Sequence, residues 1–317
     1  MSVPLIIPPT SPLIAGPDAV VLDASWLYEP DPPTRNAYEE FQAGPRLPNA
    51  RFWDLDAVSE PHPDGYALML PSPERFAAFA GKHGVVKDSH VIVYDGEGVF
   101  AAPRTAWTFK VYGHEKVSVI NGGLPRAKKE GVKLETGPPK PFQETEYGIP
   151  TLDRDAVVQF DEVLRLAHRP SPSADGTLLI DARPEPSYQA GHIPTSLLLD
   201  FPSSLLEDPD KFTYLREPEA LKKHVAEKLG QNRLEEILTQ KVTVVNSEFG
   251  RLSQEEDHFV EYGKLTMLRI ACGGGLSAAI NWLSLKSLGV DSRLYDEAWG
   301  GYSARTGTPR ITGPDPL

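Results

Sequence analysis

The 317-residue chain carries 32 Lys+Arg against 44 Asp+Glu, a formal net charge of -12, with 40% hydrophobic and 24% charged residues. That composition belongs to a globular chain of about two domains at roughly 150 residues each. Its acidic balance, with no basic cluster beyond Lys128-Lys129, excludes nucleic acid and acidic membrane surfaces as partners.

The start, Met1 to Gly16, has no basic region ahead of its short apolar stretch and no transit-peptide spacing, so a cytoplasmic location is expected over a mitochondrial one. No run approaches the ~20 apolar residues needed to cross a bilayer, so no membrane role is expected. A lone cysteine allows neither an internal disulfide nor a structural zinc site, which points to a reducing compartment.

Along the chain, Val20-Val21-Leu22-Asp23-Ala24 is a short apolar strand, followed by a polar helical stretch and the turn Gln42 to Pro48. A second strand, His90 to Tyr94, leads through Asp95-Gly96-Glu97-Gly98 into a helix containing Pro103 to Trp107. Strand Val117 to Ile120 and the turn Gly122-Gly123 close this half. Thr136 to Pro150, with Gly137-Pro138-Pro139-Lys140-Pro141, cannot continue a helix and is the expected link.

The same series then recurs: Leu178-Leu179-Ile180-Asp181-Ala182, the turn Gln189 to Pro194, a strand at Leu268-Arg269-Ile270-Ala271, Cys272-Gly273-Gly274-Gly275, a helix through Ala278 to Trp282, strand Arg293 to Asp296, and Trp299-Gly300-Gly301. Strands alternating with helices predict an α/β fold. Two tandem domains are expected, 1–140 and 150–317, each a mainly parallel sheet flanked by helices. Asp95 stands where Cys272 stands in the repeat. The second half is the longer, and its extra chain is placed in Ser247 to Lys264, between Val242 to Val245 and Leu265 to Leu268, as a solvated loop or hairpin.

Cys272 is the candidate nucleophile. A thiol acts as the thiolate, and its free pKa of about 8.5 must be lowered by its surroundings. A strand, a tight glycine loop and the start of an apolar helix at Leu276-Ser277-Ala278-Ala279 turn backbone N–H groups into a concavity that favours an anion. Gly273, Gly274 and Gly275 allow the backbone angles and close approach that such a loop needs. A buried, inert cysteine beside a flexible turn is the bland alternative.

An ordered series of motifs resembles the tandem-domain rhodanese family, and more closely its 3-mercaptopyruvate sulfurtransferases. In the first half these are Leu22 to Trp26, Arg35-Asn36-Ala37, Ala50 to Asp56, Met69 to Pro73 and Ala102-Pro103-Arg104. In the second they are Asp181-Ala182-Arg183, Gly191 to Pro194, Cys272 to Ser277 and Tyr295 to Trp299. The resemblance implies a sulfurtransferase that needs no metal or other cofactor. Cys272 would take sulfane sulfur from a small donor as a persulfide and pass it to cyanide or a thiol, such as that of a thioredoxin-like protein. Asp95 would make the first domain non-catalytic.

The resemblance further implies that the neutral loop, with Gly273 and Gly274 where thiosulfate-type members carry basic residues, favours a 2-oxo acid donor. Arg183 would bind the donor's carboxylate, with Trp299 beside the pocket and the amides of Gly273, Gly274, Gly275, Leu276 and Ser277 around the sulfur. Arg183 in a surface salt bridge is the alternative. Asp56 matches a family residue proposed to relay protons, although it could instead belong to a helix cap. The chain departs from the family at Ser187 (in place of a second arginine), Gly274 (a serine) and Leu68 (a histidine), so the full relay is absent. His62, near in sequence, is read as a solvated loop residue.

Other readings are a thiosulfate sulfurtransferase and a degenerate rhodanese that serves as a binding or regulatory module. A Cys-x5-Arg phosphatase fails because its arginine position holds Ala278.

Overall fold

The computed structural model describes residues 3–27, 34–245 and 275–317. Cys272, Gly273, Gly274, the expected strand 268–271 and the stretch 247–264 lie outside these described residues.

The first half holds strands β1 (Ile6–Ile7), β2 (Ala19–Asp23), β3 (Arg51–Phe52), β4 (His90–Tyr94) and β5 (Val117–Ile120). Its helices are α1 (Ala37–Ala43), α2 (Leu55–Val58), α3 (Pro73–Lys82), α4 (Ala102–Val111) and α5 (Gly123–Lys129). The second half holds β6 (Val157–Val158), β7 (Thr177–Asp181), β8 (Ser196–Leu198), β9 (Leu205–Glu207), β10 (Thr213–Leu215), β11 (Lys241–Val245) and β12 (Ser292–Tyr295). Its helices are α6 (Phe160–Ala167), α7 (Glu185–Ala190), α8 (Pro218–Leu229), α9 (Gln231–Thr239), α10 (Leu276–Ser287) and α11 (Ala298–Ala304).

Among the described residues these strands form two five-stranded sheets, in the orders β1-β5-β4-β2-β3 and β6-β12-β11-β7-β8, and a β9–β10 pair. Every pairing within the five-stranded sheets is parallel. The interior strands β4 and β7 are buried at every position, as strands covered by helices on both faces must be. The two α/β domains and the repeat therefore stand as the sequence implies.

One element differs from the sequence reading. The place that β4 fills in the first sheet is filled in the second by β11, with Val245 beside Asp181 as Tyr94 is beside Asp23. The amides of Ala24 and Ala182 bond the carbonyls of Tyr94 and Val245 in the same way. Two apolar runs compete for this slot, and 241–245 takes it because its residues register on β7 along their whole length. The extra chain thus falls between the central strand and α10, where residues 95–101 suffice in the first domain.

The proline-rich link belongs physically to the first domain. Thr145 donates its amide to Gly81 O, and Tyr147 is buried against Phe76 and His114. Between the domains, α4 packs on α10. These helices are apolar nearly all round, with nine and ten residues buried respectively, as befits helices at the centre of a larger core. One continuous hydrophobic cluster, running from Val20 to Leu294, joins both halves.

Candidate active site

In parallel α/β sheets, binding sites form beyond the carboxyl ends of the strands. At that edge of the second sheet β11 lies between β7 and β12. Arg183 follows β7 on one side, Asp296 follows β12 on the other, and the chain leaving β11 returns as α10 through Gly275.

Gly275 caps α10 with φ 82°, in the left-handed region, and accepts the amide of Ala279 at 2.9 Å. A Cβ there would lie 2.3 Å from Arg104 Nη1, so only glycine fits. Leu276 and Ser277 form the first turn of α10 and are both buried. The last three of the five predicted loop residues therefore sit at a helix N-terminus beneath the interface.

Arg183 is 1% exposed. Its Nε lies 3.0 Å from Asp181 Oδ1 and its Nη2 lies 2.8 Å from Asp181 Oδ2 and 2.6 Å from Gly191 O. The guanidinium carbon stacks 4.4 Å over the Trp299 ring. Arg183 and Trp299 are thus brought together, and the salt bridge of Arg183 is buried rather than at the surface. A buried pair of this kind fixes geometry more than it adds stability. Asp181 also accepts the Arg183 amide at 2.9 Å, holding the turn after β7.

Asp56 is in the first domain, on α2. The cap of that helix is Asp54, which accepts the Ala57 amide at 3.0 Å, while Asp56 accepts Trp26 Nε1 at 3.0 Å. Helix capping is therefore not its task. His62 lies on a loop beside Tyr66, with ring centroids 4.5 Å apart.

The first domain shows what this loop architecture holds. The Asp95 carboxylate is fully buried and accepts four backbone amides: Glu97 at 3.1 Å on Oδ1, and Phe100, Ala101 and Ala102 at 2.9 Å on Oδ2. Three donors converge on one oxygen at the N-terminus of α4, an anion cradle filled by the chain's own side chain. Burial pushes the Asp95 carboxyl up, and those amides oppose the shift.

Each domain also presses a hairpin onto the other's loop. From the second domain, Leu215 donates its amide to Asn121 Oδ1 at 2.7 Å, and Thr213 Oγ1 accepts the Val99 amide at 3.1 Å. From the first, Leu70 donates its amide to Asp296 Oδ2 at 2.7 Å, with Leu68 two residues earlier in the left-handed region at φ 57°. Asn121 follows β5 and Asp296 follows β12, so the two contacts are equivalent. Arg104 on α4 adds a contact with no counterpart, because Ala278 holds the corresponding place on α10. Its Nη2 bonds Asp296 Oδ1 at 2.5 Å and Leu68 O at 2.8 Å.

Sequence reading left Arg104 and Asp296 without a role. The available signal was a lone arginine at the start of a helix otherwise apolar as far as Lys110.

A family model, the rhodanese-like domain, matches residues 16–130 and again 160–305. The chain is 32% identical over 298 residues to a probable 3-mercaptopyruvate sulfurtransferase of Schizosaccharomyces pombe, covering 90% of this chain and 87% of that protein. It is 30% identical over 308 residues to the 3-mercaptopyruvate sulfurtransferase of Escherichia coli K12, covering 93% of each. A thiosulfate sulfurtransferase of Cricetulus griseus is 37% identical over 207 residues, covering 61% of this chain and 66% of that one. Among solved structures, the 3-mercaptopyruvate sulfurtransferase SseA of Escherichia coli superposes with a TM-score of 0.68 at 28% identity, covering 90% of this chain and 95% of its own. With a matching domain in each half and relatives spanning nearly its whole length, the chain belongs to the rhodanese-like family.

Proposed function

We propose that the protein is a sulfurtransferase that moves sulfane sulfur from 3-mercaptopyruvate to a thiol through a persulfide on Cys272. The Asp95 cradle carries this reading: the same strand–loop–helix frame in the first domain holds a buried anion on converging amides. At Gly275 to Ser277 the second domain offers that helix N-terminus to the loop that opens with its only cysteine.

In the reaction, the Cys272 thiolate attacks the sulfur of mercaptopyruvate. The S–S bond forms as the C–S bond breaks, and its electron pair leaves as the enolate of pyruvate, which takes up a proton. An acceptor thiolate, on a small thiol or a thioredoxin-like protein, then attacks the outer sulfur and Cys272 leaves as the thiolate. Arg183, whose Nε and Nη2 are held by Asp181 and Gly191 O, would have to turn its remaining Nη1 to the donor's carboxylate, with Trp299 stacked on its face. A lone cysteine suits a reducing compartment, and we place the activity in the cytoplasm.

The 37% identity to a thiosulfate sulfurtransferase over 207 residues supports thiosulfate as the second donor to try. Steady-state rates with mercaptopyruvate and thiosulfate, for the wild type and Cys272→Ala, test the reading. The variant should lose at least about a thousandfold in rate, as loss of a covalent nucleophile does. A thiosulfate preference would overturn the donor, and an unaffected variant would overturn the mechanism. If mass spectrometry finds no added sulfur on Cys272 after incubation with either donor, the chain is a binding module.

A further inference from the structure

The turn that carries Gly191 O, the acceptor of Arg183 Nη2, is tied down by the segment that follows α11. His192 and Ile311 exchange amide hydrogen bonds as an antiparallel bridge, Gly313 donates its amide to Gln189 O at 2.8 Å, and Thr195 donates its amide to Pro316 O at 2.6 Å. His192 is fully buried, its ring centroid 3.6 Å from that of Tyr188, with Nδ1 2.9 Å from Tyr188 O and Nε2 3.0 Å from Asp315 O. Residues 311–316 thus form a strap that grips the chain on both sides of Gly191.

The first domain has the same device. Thr136-Gly137-Pro138 repeats as Thr312-Gly313-Pro314. Arg46 and Glu135 form the matching bridge, and Gly137 donates its amide to Ala43 O. Arg46 Nη1 reaches Phe41 O and Gly137 O, much as the ring of His192 reaches Tyr188 O and Asp315 O. What differs is the side chain the turn holds. Ser25 stands in the place of Arg183, each donating its amide to the aspartate two residues before it, but Ser25 Oγ stays with Asp23 and the Gly96 amide.

The anchors of the Arg183 guanidinium are not equally rigid. Asp181 ends β7 and is paired with strands on both sides, and Trp299 is buried on α11. Gly191 O lies on the connection between α7 and β8, which the strap backs. A Cβ on Gly191 would come 3.3 Å from Trp299 Cζ2, so this turn also lies directly against the ring on which the guanidinium stacks.

We propose that 311–316 is a positioning element for donor binding, with His192 the positioning residue that locks it. By fixing Gly191 O, the strap sets the plane of the Arg183 guanidinium, and so the direction in which the edge left open by Asp181 and Gly191 meets the carboxylate of a 2-oxo acid. The proposal rests on Arg183 being the carboxylate-binding group of the proposed function.

The test compares matched variants of the full chain. Gly313 and Gly137 both lie in the left-handed region, at φ 93° and 71°, and a Cβ on either meets nothing within 4 Å. Valine at these positions therefore strains the backbone of one strap without a packing clash. Gly313→Val should speed hydrogen exchange of the amides of 185–192 by about tenfold. It should raise KM for mercaptopyruvate about fivefold, with kcat within about twofold of the wild type. Gly137→Val, strained alike in the first domain, should leave that exchange and that KM unchanged.

Exchange at 185–192 that is unaltered in Gly313→Val, or that rises as much in Gly137→Val, overturns the strap, and an unmoved KM overturns its positioning role. Should Gly313→Val not fold, the less strained Gly313→Ala decides by the same readings. Wild-type protein that gains no sulfur from mercaptopyruvate defeats the proposed function, and the exchange comparison then still decides whether the strap holds the Arg183 turn.

Discussion

The loop after β4 and the loop that precedes α10 occupy equivalent places in two equivalent sheets, and they solve different problems. In the first domain the cradle is closed: Asp95 fills it, and Thr213 of the opposing hairpin takes the Val99 amide. A Cβ on Gly98 would lie 2.2 Å from Thr213 O, so that hairpin leaves no room above the loop. In the second domain the helix start carries no acidic residue in its first turn, and Leu68, with no hydroxyl to offer, holds the place in the opposing hairpin that Thr213 holds in the other. The first copy of the scaffold thus carries a loop sealed from both sides, by its own aspartate and by the opposing hairpin.

The comparison breaks most sharply at its sealed end. Asp95→Ala strands two buried amides and leaves two part-buried ones to water, at roughly 1–2 kcal/mol for each buried donor, so a loss of about 2–4 kcal/mol is expected. Urea unfolding would show the loss, while sulfur transfer by the protein that remains folded should be unchanged. A fall in specific activity matching the fall in stability would mean that the first loop takes part in turnover.

Asp23 sharpens the same contrast through pH. It lies beneath Ser25 and near Asp95, and burial raises its carboxyl to about 6 from 3.8. With a folded value above the unfolded one, its favourable contribution is complete below pH 3.8 and is lost as pH rises through 6. Asp23→Asn cannot ionise, so its stability relative to the wild type should grow between pH 4 and pH 7, by at most about 3 kcal/mol. Paired urea titrations at the two pH values read this directly, and a difference that shrinks with pH would contradict it. Asp181, the matching residue of the second domain, is instead paired with Arg183.

The smallest effect concerns the seal. Thr213→Val keeps the shape but removes the acceptor for the Val99 amide and should cost about 1–2 kcal/mol in the same unfolding assay. A neutral result would mean that the hairpin seals by shape alone.

Much of this was legible in the residues. The repeat of an apolar strand ending in Asp-Ala identified two α/β domains, and the strands and helices around Asp95 fell where the patterns placed them. What misled was a second apolar run. Val242 to Val245 is β-branched throughout, whereas Leu268 to Ala271 holds one β-branched residue and an arginine, so composition already favoured the run that registers on β7. The partners of Arg183 were also out of reach, because whether an arginine faces solvent, substrate or a carboxylate two residues away depends on how the turn after β7 closes. Arg104 and Asp296 lie 192 positions apart, and no local pattern joins them.

The exchange of hairpins has one more consequence. Asn121 receives an amide from the second half, and Asp296 receives one from the first, so each half finishes the other's rim. The amides at 70 and 215 come from the backbone, so the exchange asks for a particular side chain only at Asn121 and at the Arg104–Asp296 pair. Under the proposed function, the half without a cysteine thus completes the rim of the half that carries one.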